Sequence, residues 1–520
     1  MGMVAPQERI ASAYFVVFGK YGDVSRYAQE RGVCRQWVYR EAHWLQEVLA
    51  QQRQEVQRLR QQVQEVQQQN KHLQERQAVA VVIDKEMQTK LATVGQAVGV
   101  SLPVIRELLE VLIPGQQQSV ATLGRATQAA GQKAGQLLAV LDEFARARAR
   151  EVSADEVYVK DPVLMVVEPE SLCWLTGRLS DTVNSDAWAA EFRQLPNLEQ
   201  VTRDGGKGLA NGVAQVNAER QEKSQQPVVD QGDHFHALYG AGVGLRRAET
   251  QARKALEAAE TAQKKLTECA RQGQASHGPS NRARAAWLQA EKAMDAWIAL
   301  DRSWQQTKEA LLLFTPEGEL NTRQRAEAVL GETLPQLPDS DFAKTKRQLQ
   351  KPEMLNYLDR AHEKIAALPL PEEVKQAAVR QEGLRRRPEL LKGEGTQPAA
   401  LRGVMLMCAV VLTKAGELGP QAVAAVRDIF RRAYRASSLV ECINSVLRMQ
   451  QSRHRKMTQG LLDLKRLYWN CHTLRTGRRR RTTPYQRLGV LWPEGLRWWD
   501  LLKLTPEQLR DKLSTAKTPP

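Results

Sequence analysis

The sequence is poor in the features that would make a chain secreted, zinc-bound or membrane-embedded. Its six cysteines, Cys34, Cys173, Cys269, Cys408, Cys442 and Cys471, are scattered through 520 residues. None forms a Cys-x-x-Cys pair, which excludes a zinc knuckle and a disulfide framework. That usage fits a reducing compartment. The longest uninterrupted apolar run, Val404 to Leu412, is far short of the roughly 20 residues a spanning helix needs. No secretory apolar region opens the N-terminus. These absences predict a cytoplasmic protein with no membrane partner.

What is present is positive charge. Lys and Arg number 75 against 59 Asp and Glu, a formal net charge of +16. Such an excess attracts polyanions, nucleic acid first among them, although a generic basic surface would give the same count. The length predicts several domains.

The first segment carries helix-turn-helix spacing. Ala28 is small where two helices would cross, Gly32 permits a left-handed turn, and Val38 would pack the second helix on the first. Arg35, Gln36, Tyr39 and Arg40 would then face outward as groove readers, unless the pair is an ordinary hairpin. A coiled coil follows, with Leu49, Val56, Val63 and Asn70 at a positions and Leu45, Gln52, Leu59, Val66 and Leu73 at d. Val at a with Leu at d favours two parallel strands, and the Asn sets register, so residues 45–73 predict a homodimer. Glu55 and Arg60 could bridge the two copies. Gly95, Gly99 and Ile105 repeat the first spacing and suggest a second helix-turn-helix, unless Pro103 begins an unrelated helix.

From Val152 the pattern changes. Short β-branched runs, Val157–Val159 and Val163–Val167, flank an Asp161-Pro162 turn, and Cys173–Leu179 reads as a third strand. Asn184 caps a helix over Ser185–Leu195. A fourth strand, Leu198–Thr202, ends at Asp204-Gly205-Gly206; a helix and a fifth strand at Pro227–Val229 follow. Three strands, a helix, a strand, a helix and a strand is the order of an α/β RNase H-like core with a mixed five-stranded sheet.

Three acidic motifs lie on those elements. Ala154-Asp155-Glu156 opens the first strand, Val201-Thr202-Arg203-Asp204-Gly205-Gly206 closes the fourth, and Ser437-Ser438-Leu439-Val440-Glu441-Cys442-Ile443-Asn444 opens a late helix. With Gly232-Asp233-His234-Phe235-His236 and Thr483-Pro484-Tyr485-Gln486-Arg487-Leu488-Gly489, they resemble the signatures of bacterial insertion-sequence transposases of the DDE class, from about Gln88 onward. The resemblance implies a DNA transposase with Asp155, Asp204 and Glu441 as catalytic and metal-binding residues. It also implies two Mg²⁺ ions, with Mn²⁺ as a substitute. Two ions about 4 Å apart can activate an attacking hydroxyl and neutralise a leaving alkoxide. Carboxylates suit such hard cations. Asp155 would bridge both ions, Asp204 completing one site and Glu441 the other. The partners implied are double-stranded DNA, as element ends and as target, in a nucleoid-associated setting.

Each acid has a plainer reading. Asp155 could edge a strand, Asp204 could serve a tight turn, and Ser438-x-x-Glu441 matches a capping box. Together, on the expected elements, they favour catalysis. Asp230 and Asp233 compete with Asp204, but the second acid of this fold lies just after the fourth strand. His234 and His236 would share a face if the fifth strand continued, and a role supporting the carboxylates suits them better than a zinc pair. Gly240, Gly242 and Gly244 lack the strand–turn–helix context of a dinucleotide loop.

The long stretch between Asp204 and Glu441 predicts a helical insertion. Trp287, Trp297 and Trp304 within it could stack on an extruded base, though their spacing also suits packing between helices. Beyond Glu441, Asn444 and Arg448 share its helix face and could hold a phosphate. Arg453, Arg455, Lys456, Arg478, Arg479, Arg480 and Arg481 would contact the DNA backbone without reading sequence. The expected divisions are 1–45 helix-turn-helix, 46–76 coiled coil, 77–150 helical, 151–244 first part of the core, 245–430 insertion, 431–475 Glu-bearing helix, and 476–520 basic and aromatic tail. The competing function is an inactive transposase-derived regulator or architectural DNA-binding protein; a nuclease without joining activity is a third.

Overall fold

The computed structural model describes residues 5–79, 82–451, 453, 456–477, 479–493 and 495–516, and contacts divide the chain into two units, 1–84 and 85–520. Arg455 and Arg478 lie outside the described residues, as does the Leu73 side chain.

The first unit holds α1 (Pro6–Phe18), α2 (Asp23–Glu30) and α3 (Arg35–Val79). Ala28 and Val38 are buried against each other with Tyr27, and Gly32 takes φ +64° between the helices. Arg35, Gln36, Tyr39 and Arg40 are all exposed at the start of α3. The boundary expected near residue 45 is absent: α3 runs unbroken from the turn through the heptads, because no Gly or Pro interrupts it. Its stripe of Leu49, Val56, Leu59, Val63 and Val66 is exposed.

The second unit begins with α4 (Lys85–Ala97), α5 (Leu102–Leu112) and α6 (Val120–Arg146). The second hairpin forms as spaced: Gly99 has φ +90°, and a Cβ on Gly95 would lie 2.6 Å from Ile105 Cδ1. The outward face of α5, however, presents Val104, Leu108 and Val111 with Glu107, an apolar and acidic surface unlike that of α3.

Most of the chain is helical (69%), around one open mixed sheet of five strands. These are β1 (Glu151–Val159), β2 (Asp161–Glu168), β3 (Cys173–Leu179), β4 (Gln200–Arg203) and β5 (Val229–Gly232), with α7 (Ser185–Arg193) and α8 (Lys207–Glu222) in the crossovers. The order across the sheet is β3-β2-β1-β4-β5, antiparallel on the β3 side and parallel from β1 to β5. Asn184 caps α7 by accepting from Ala187 N at 3.0 Å. The hairpin turns at Lys160, φ +75°, rather than at Asp161-Pro162, which already pair with β1. Because β1 starts at Glu151, Asp155 sits mid-strand rather than at its opening.

Helices cover both faces, which is why Val163 to Val167 is apolar without alternation and fully buried. Val152, Ala154, Leu164 and Val166 pack on α6, α7, α8 and α19 (Gln459–Cys471). Val157, Val163, Met165 and Trp174 pack on Val440, Ile443 and Leu447 of α18 (Ser438–Gln451). Successive side chains alternate across a strand, so Asp155 shares the α18 face with Val157, and Glu156 projects to the other.

Helices α6 and α19 cross at Gly131 and Gly460, where a Cβ on Gly131 would lie 2.6 Å from the Gly460 carbonyl oxygen. Backbone cannot yield as a side chain can, so Gly131→Ala is expected to cost about 1–3 kcal/mol. Gly403→Ala, in open space on a helix, should instead gain about 0.5–1 kcal/mol. Urea midpoints of the two variants moving the same way would contradict this.

The insertion comprises α9 (His234–Tyr239), the long pair α10 (Ala241–Arg271) and α11 (His277–Ala310), then α12 (Arg323–Thr333), α13 (Asp339–Leu349), α14 (Asn356–Ala366), α15 (Glu372–Arg386), α16 (Thr396–Lys414) and α17 (Leu418–Arg431). It has its own core, in which Trp304 is buried beside Phe342, whereas Trp287 and Trp297 are half-buried. The stretch Val404–Ala436, which reads in the sequence as one apolar helix, is two, α16 and α17, broken where Gly416 takes φ +60°. One of them, α16, is long and apolar enough by length and composition alone to cross a membrane, as the core helix of a soluble protein can also be; 17% of its apolar 18-residue window is buried.

A 3₁₀ turn, Pro352–Leu355, lies on the β5 edge. Gln231 Nε2 donates to Met354 O at 3.2 Å, and Tyr357 N donates to Gln231 Oε1 at 2.7 Å. Asn356 Nδ2 also donates to the Asp230 backbone carbonyl at 2.5 Å, so the insertion covers part of an edge that would otherwise expose unpaired backbone. The expected tail is no tail: α20 (Pro484–Arg487), α21 (Trp498–Leu501) and α22 (Pro506–Thr515) bury Tyr485, Trp498 and Leu509 in the core under the sheet.

Candidate metal centre

β4 stops at Arg203, opposite Ala154, while the longer β1 continues. Asp155 and Glu156 therefore flank a crevice beyond the carboxyl end of β4, where Asp204 follows; parallel sheets place ligands at such ends. Ligand oxygens of Asp155, Glu156 and Asp204 lie within 4.8 Å of one another. Asp204 is fixed by its turn, Oδ1 accepting from Gly206 N at 2.8 Å. The plain turn role and the clustered role are therefore one and the same geometry.

Glu441 enters from α18. Ser438 is the first residue of that helix. The Glu441 carboxylate does not fold back on the helix start; it meets Arg448 Nη1 at 2.8 Å and His236 Nε2 at 3.5 Å. Asp155, His236 and Glu441 form a second group with ligand atoms within 4.8 Å. Asp155 belongs to both.

Asn444 corrects the sequence reading. It is fully buried, and its Nδ2 donates to Asp155 Oδ2 at 2.8 Å, so it orients a carboxylate and cannot reach a phosphate. Its Oδ1 has no partner among the described residues. Arg448 is half-exposed but spends its charge on Glu441.

The histidines separate because the strand ends at Gly232 and both stand on α9. His234 turns inward, its Nε2 2.7 Å from Met354 O; burial pushes its pKa down to about 4, and it does not support the carboxylates. His236 turns to them, with Nδ1 2.5 Å from Asp233 Oδ2. That hydrogen bond first, then the fields of Asp233, Asp155 and Asp204, raise its pKa to about 9. Burial raises Asp233, but hydrogen bonds from His236 and Ser437 outweigh it and hold the carboxyl below its usual range. Asp230 is engaged elsewhere, accepting from Arg203 Nη2 at 2.6 Å. Neither rival displaces Asp204.

Glu156 is not among the acids that the sequence motifs nominate. It is driven up to about 7 by burial and then by Asp204, and its Oε2 is buried without a partner among the described residues. Asp155 is pushed up to about 8 by burial, then by Asp204 and Glu441. The field of His236 lowers Asp155 but does not offset burial and the neighbouring carboxylates, and a divalent cation would supply the further positive charge. The only sequence signal for Glu156 was its adjacency to Asp155.

Of the basic residues, Arg453, Lys456, Arg480 and Arg481 are exposed. Arg479 is not free for a backbone: it donates to Glu170 O at 2.8 Å and Pro169 O at 3.0 Å, tying the β2–β3 turn to the C-terminal segment. Comparison of the chain with protein-family models, with curated proteins and with solved structures gives no match to any of them.

Proposed function

We propose that this chain is a DNA transposase of the DDE class, cutting strands at the ends of its element and joining the 3′-hydroxyls to target DNA. The observation that carries the reading is that Asp155 on β1 belongs to two acidic groups at once, one with Glu156 and with Asp204 at the end of β4, the other with His236 and with Glu441 on α18. The strand order β3-β2-β1-β4-β5 supports an RNase H-like core. The donor set fits Mg²⁺: hard carboxylate oxygens, with two buried oxygens, on Glu156 and Asn444, lacking partners among the described residues.

When bound, two such ions, or Mn²⁺ in their place, activate the attacking water or 3′-hydroxyl and neutralise the leaving alkoxide. Asp155 would serve both ions, with Asp204 and Glu156 holding one and Glu441 the other. Asn444 fixes the Asp155 rotamer, and Arg448 fixes Glu441. Arg35, Gln36, Tyr39 and Arg40 read a groove of the element ends from α3. Arg453, Lys456, Arg480 and Arg481 hold the backbone. The exposed heptad stripe of α3 is the seam of a parallel homodimer, which sets two readers on two ends.

The test uses purified full-length chain with a duplex carrying the DNA that borders its own coding sequence. Mg²⁺-dependent nicks at discrete positions are expected, and joining of the new 3′-ends to a supercoiled plasmid. Tight binding with no nick in Mg²⁺ or Mn²⁺ would replace this reading with the regulator or architectural protein. Nicking without joining would leave a nuclease.

A further inference from the structure

We infer that His236 is itself a metal ligand, so that one ion sits in a mixed nitrogen–oxygen site of His236, Asp155 and Glu441. This rests on the two-metal reading above and adds a ligand to it. The other ion keeps the all-oxygen set of Asp155, Asp204 and Glu156.

Three features carry the inference. The first is distance. His236 Nε2 lies 3.5 Å from Glu441 Oε1, and with an oxygen of Asp155 all three atoms fall within 4.8 Å. Neighbouring donors of one octahedral ion, each about 2.1 Å from it, stand about 3 Å apart. The gap is that of co-ligands drawn slightly open.

The second is orientation. Nδ1 is held by Asp233 Oδ2 at 2.5 Å, which turns Nε2 toward the carboxylates; a metal ion bound there would displace the proton that Nε2 carries in the metal-free protein. Histidines that ligate metals are oriented by a carboxylate in this way. Asp233 is fixed in turn by the Ser437 hydroxyl and by Phe235 N at 2.7 Å. Ser437 immediately precedes α18, so one buried carboxylate aligns both the imidazole and the helix bearing Glu441.

The third lies across the site. Asn444 is fully buried and anchored to Asp155, yet its Oδ1 has no partner among the described residues. A buried carbonyl oxygen beside such a cluster calls for a donor, as a metal-bound water would be.

Imidazole favours Mn²⁺ and later metals over Mg²⁺. The mixed site should therefore prefer Mn²⁺, while the carboxylate site accepts either ion. The probe is Mn²⁺ alone, added to full-length protein without DNA and read by pulsed electron paramagnetic resonance and calorimetry. Wild type is expected to show ¹⁴N coupling to bound Mn²⁺. His236→Ala and His236→Gln should lose that coupling and weaken one site by about 10–100-fold, leaving the other intact. Circular dichroism and thermal melts check that the variants fold. Two bound Mn²⁺ in wild type without ¹⁴N coupling would overturn the histidine ligand and leave the carboxylate site standing. No bound Mn²⁺ at all would sink the two-metal reading with it.

Discussion

Glu441→Gln is expected to abolish Mg²⁺-dependent strand cleavage, by about 10³-fold or more, while the protein stays folded. The amide matches the carboxylate in size and can still accept from Arg448, which in the wild type lies 2.8 Å away. What disappears is the charge. A metal stabilises the transition state by several kcal/mol, and each 1.36 kcal/mol lost is about tenfold in rate. Stability should barely move, because the side chain is partly exposed and does not cap α18. Thermal melts and single-turnover cleavage on the same preparation separate the two effects. A variant that cuts within tenfold of wild type would remove Glu441 from the site. Asp155→Asn should be equally inactive and is the less clean test, since Asp155 is buried beneath Asn444.

Asp142→Ala is expected to give the largest loss of stability. Arg466 is buried between α6 and β3, with Nη1 and Nη2 donating to Asp142 at 3.2 and 2.8 Å and Nη1 also reaching the Leu175 carbonyl. Removing the carboxylate strands a guanidinium in the interior, at a cost of about 3–5 kcal/mol. The double variant Asp142→Leu, Arg466→Met removes both charges and should recover most of that loss, since an apolar pair of similar volume is often neutral. Urea unfolding of the single and double variants reads both numbers. A single variant within about 1 kcal/mol of wild type would mean water reaches the arginine and the pair is no buried bridge.

Features set by neighbours in sequence were readable from the sequence. The Ala28, Gly32 and Val38 spacing specifies a turn that closes locally, and it closes as expected. The Asn184 cap acts within one helical turn. The apolar run of β2 announces a strand covered on both faces. The acids at 155, 204 and 441 could be nominated because the short motifs around them resemble acidic signatures and fall on such local elements.

Their surroundings could not be read. Asn444 looks outward-facing on a helix drawn alone, and only packing on β1 turns it to Asp155, 289 residues away in sequence. His234 and His236 would have shared a face had the fifth strand continued. Asp233 instead caps a short helix, and its 100° step per residue sends them apart. Glu156 points away from Asp155 by strand alternation, yet its carboxylate reaches the crevice because β4 ends there. The aromatic C-terminus looked like a tail because what buries Trp498 lies on residues far upstream.

Taken alone, the sequence determined the first helical hairpin, the uninterrupted heptad helix and the existence of the strands, since period, cap and turn chemistry act over a few residues, whereas the three acids were nominated by resemblance. Only the tertiary structure decided which side chains surround those acids and which arginines are already engaged. Burial, repulsion between carboxylates and hydrogen bonds across hundreds of residues arise when the sheet, α9 and α18 meet, and no short-range pattern encodes them.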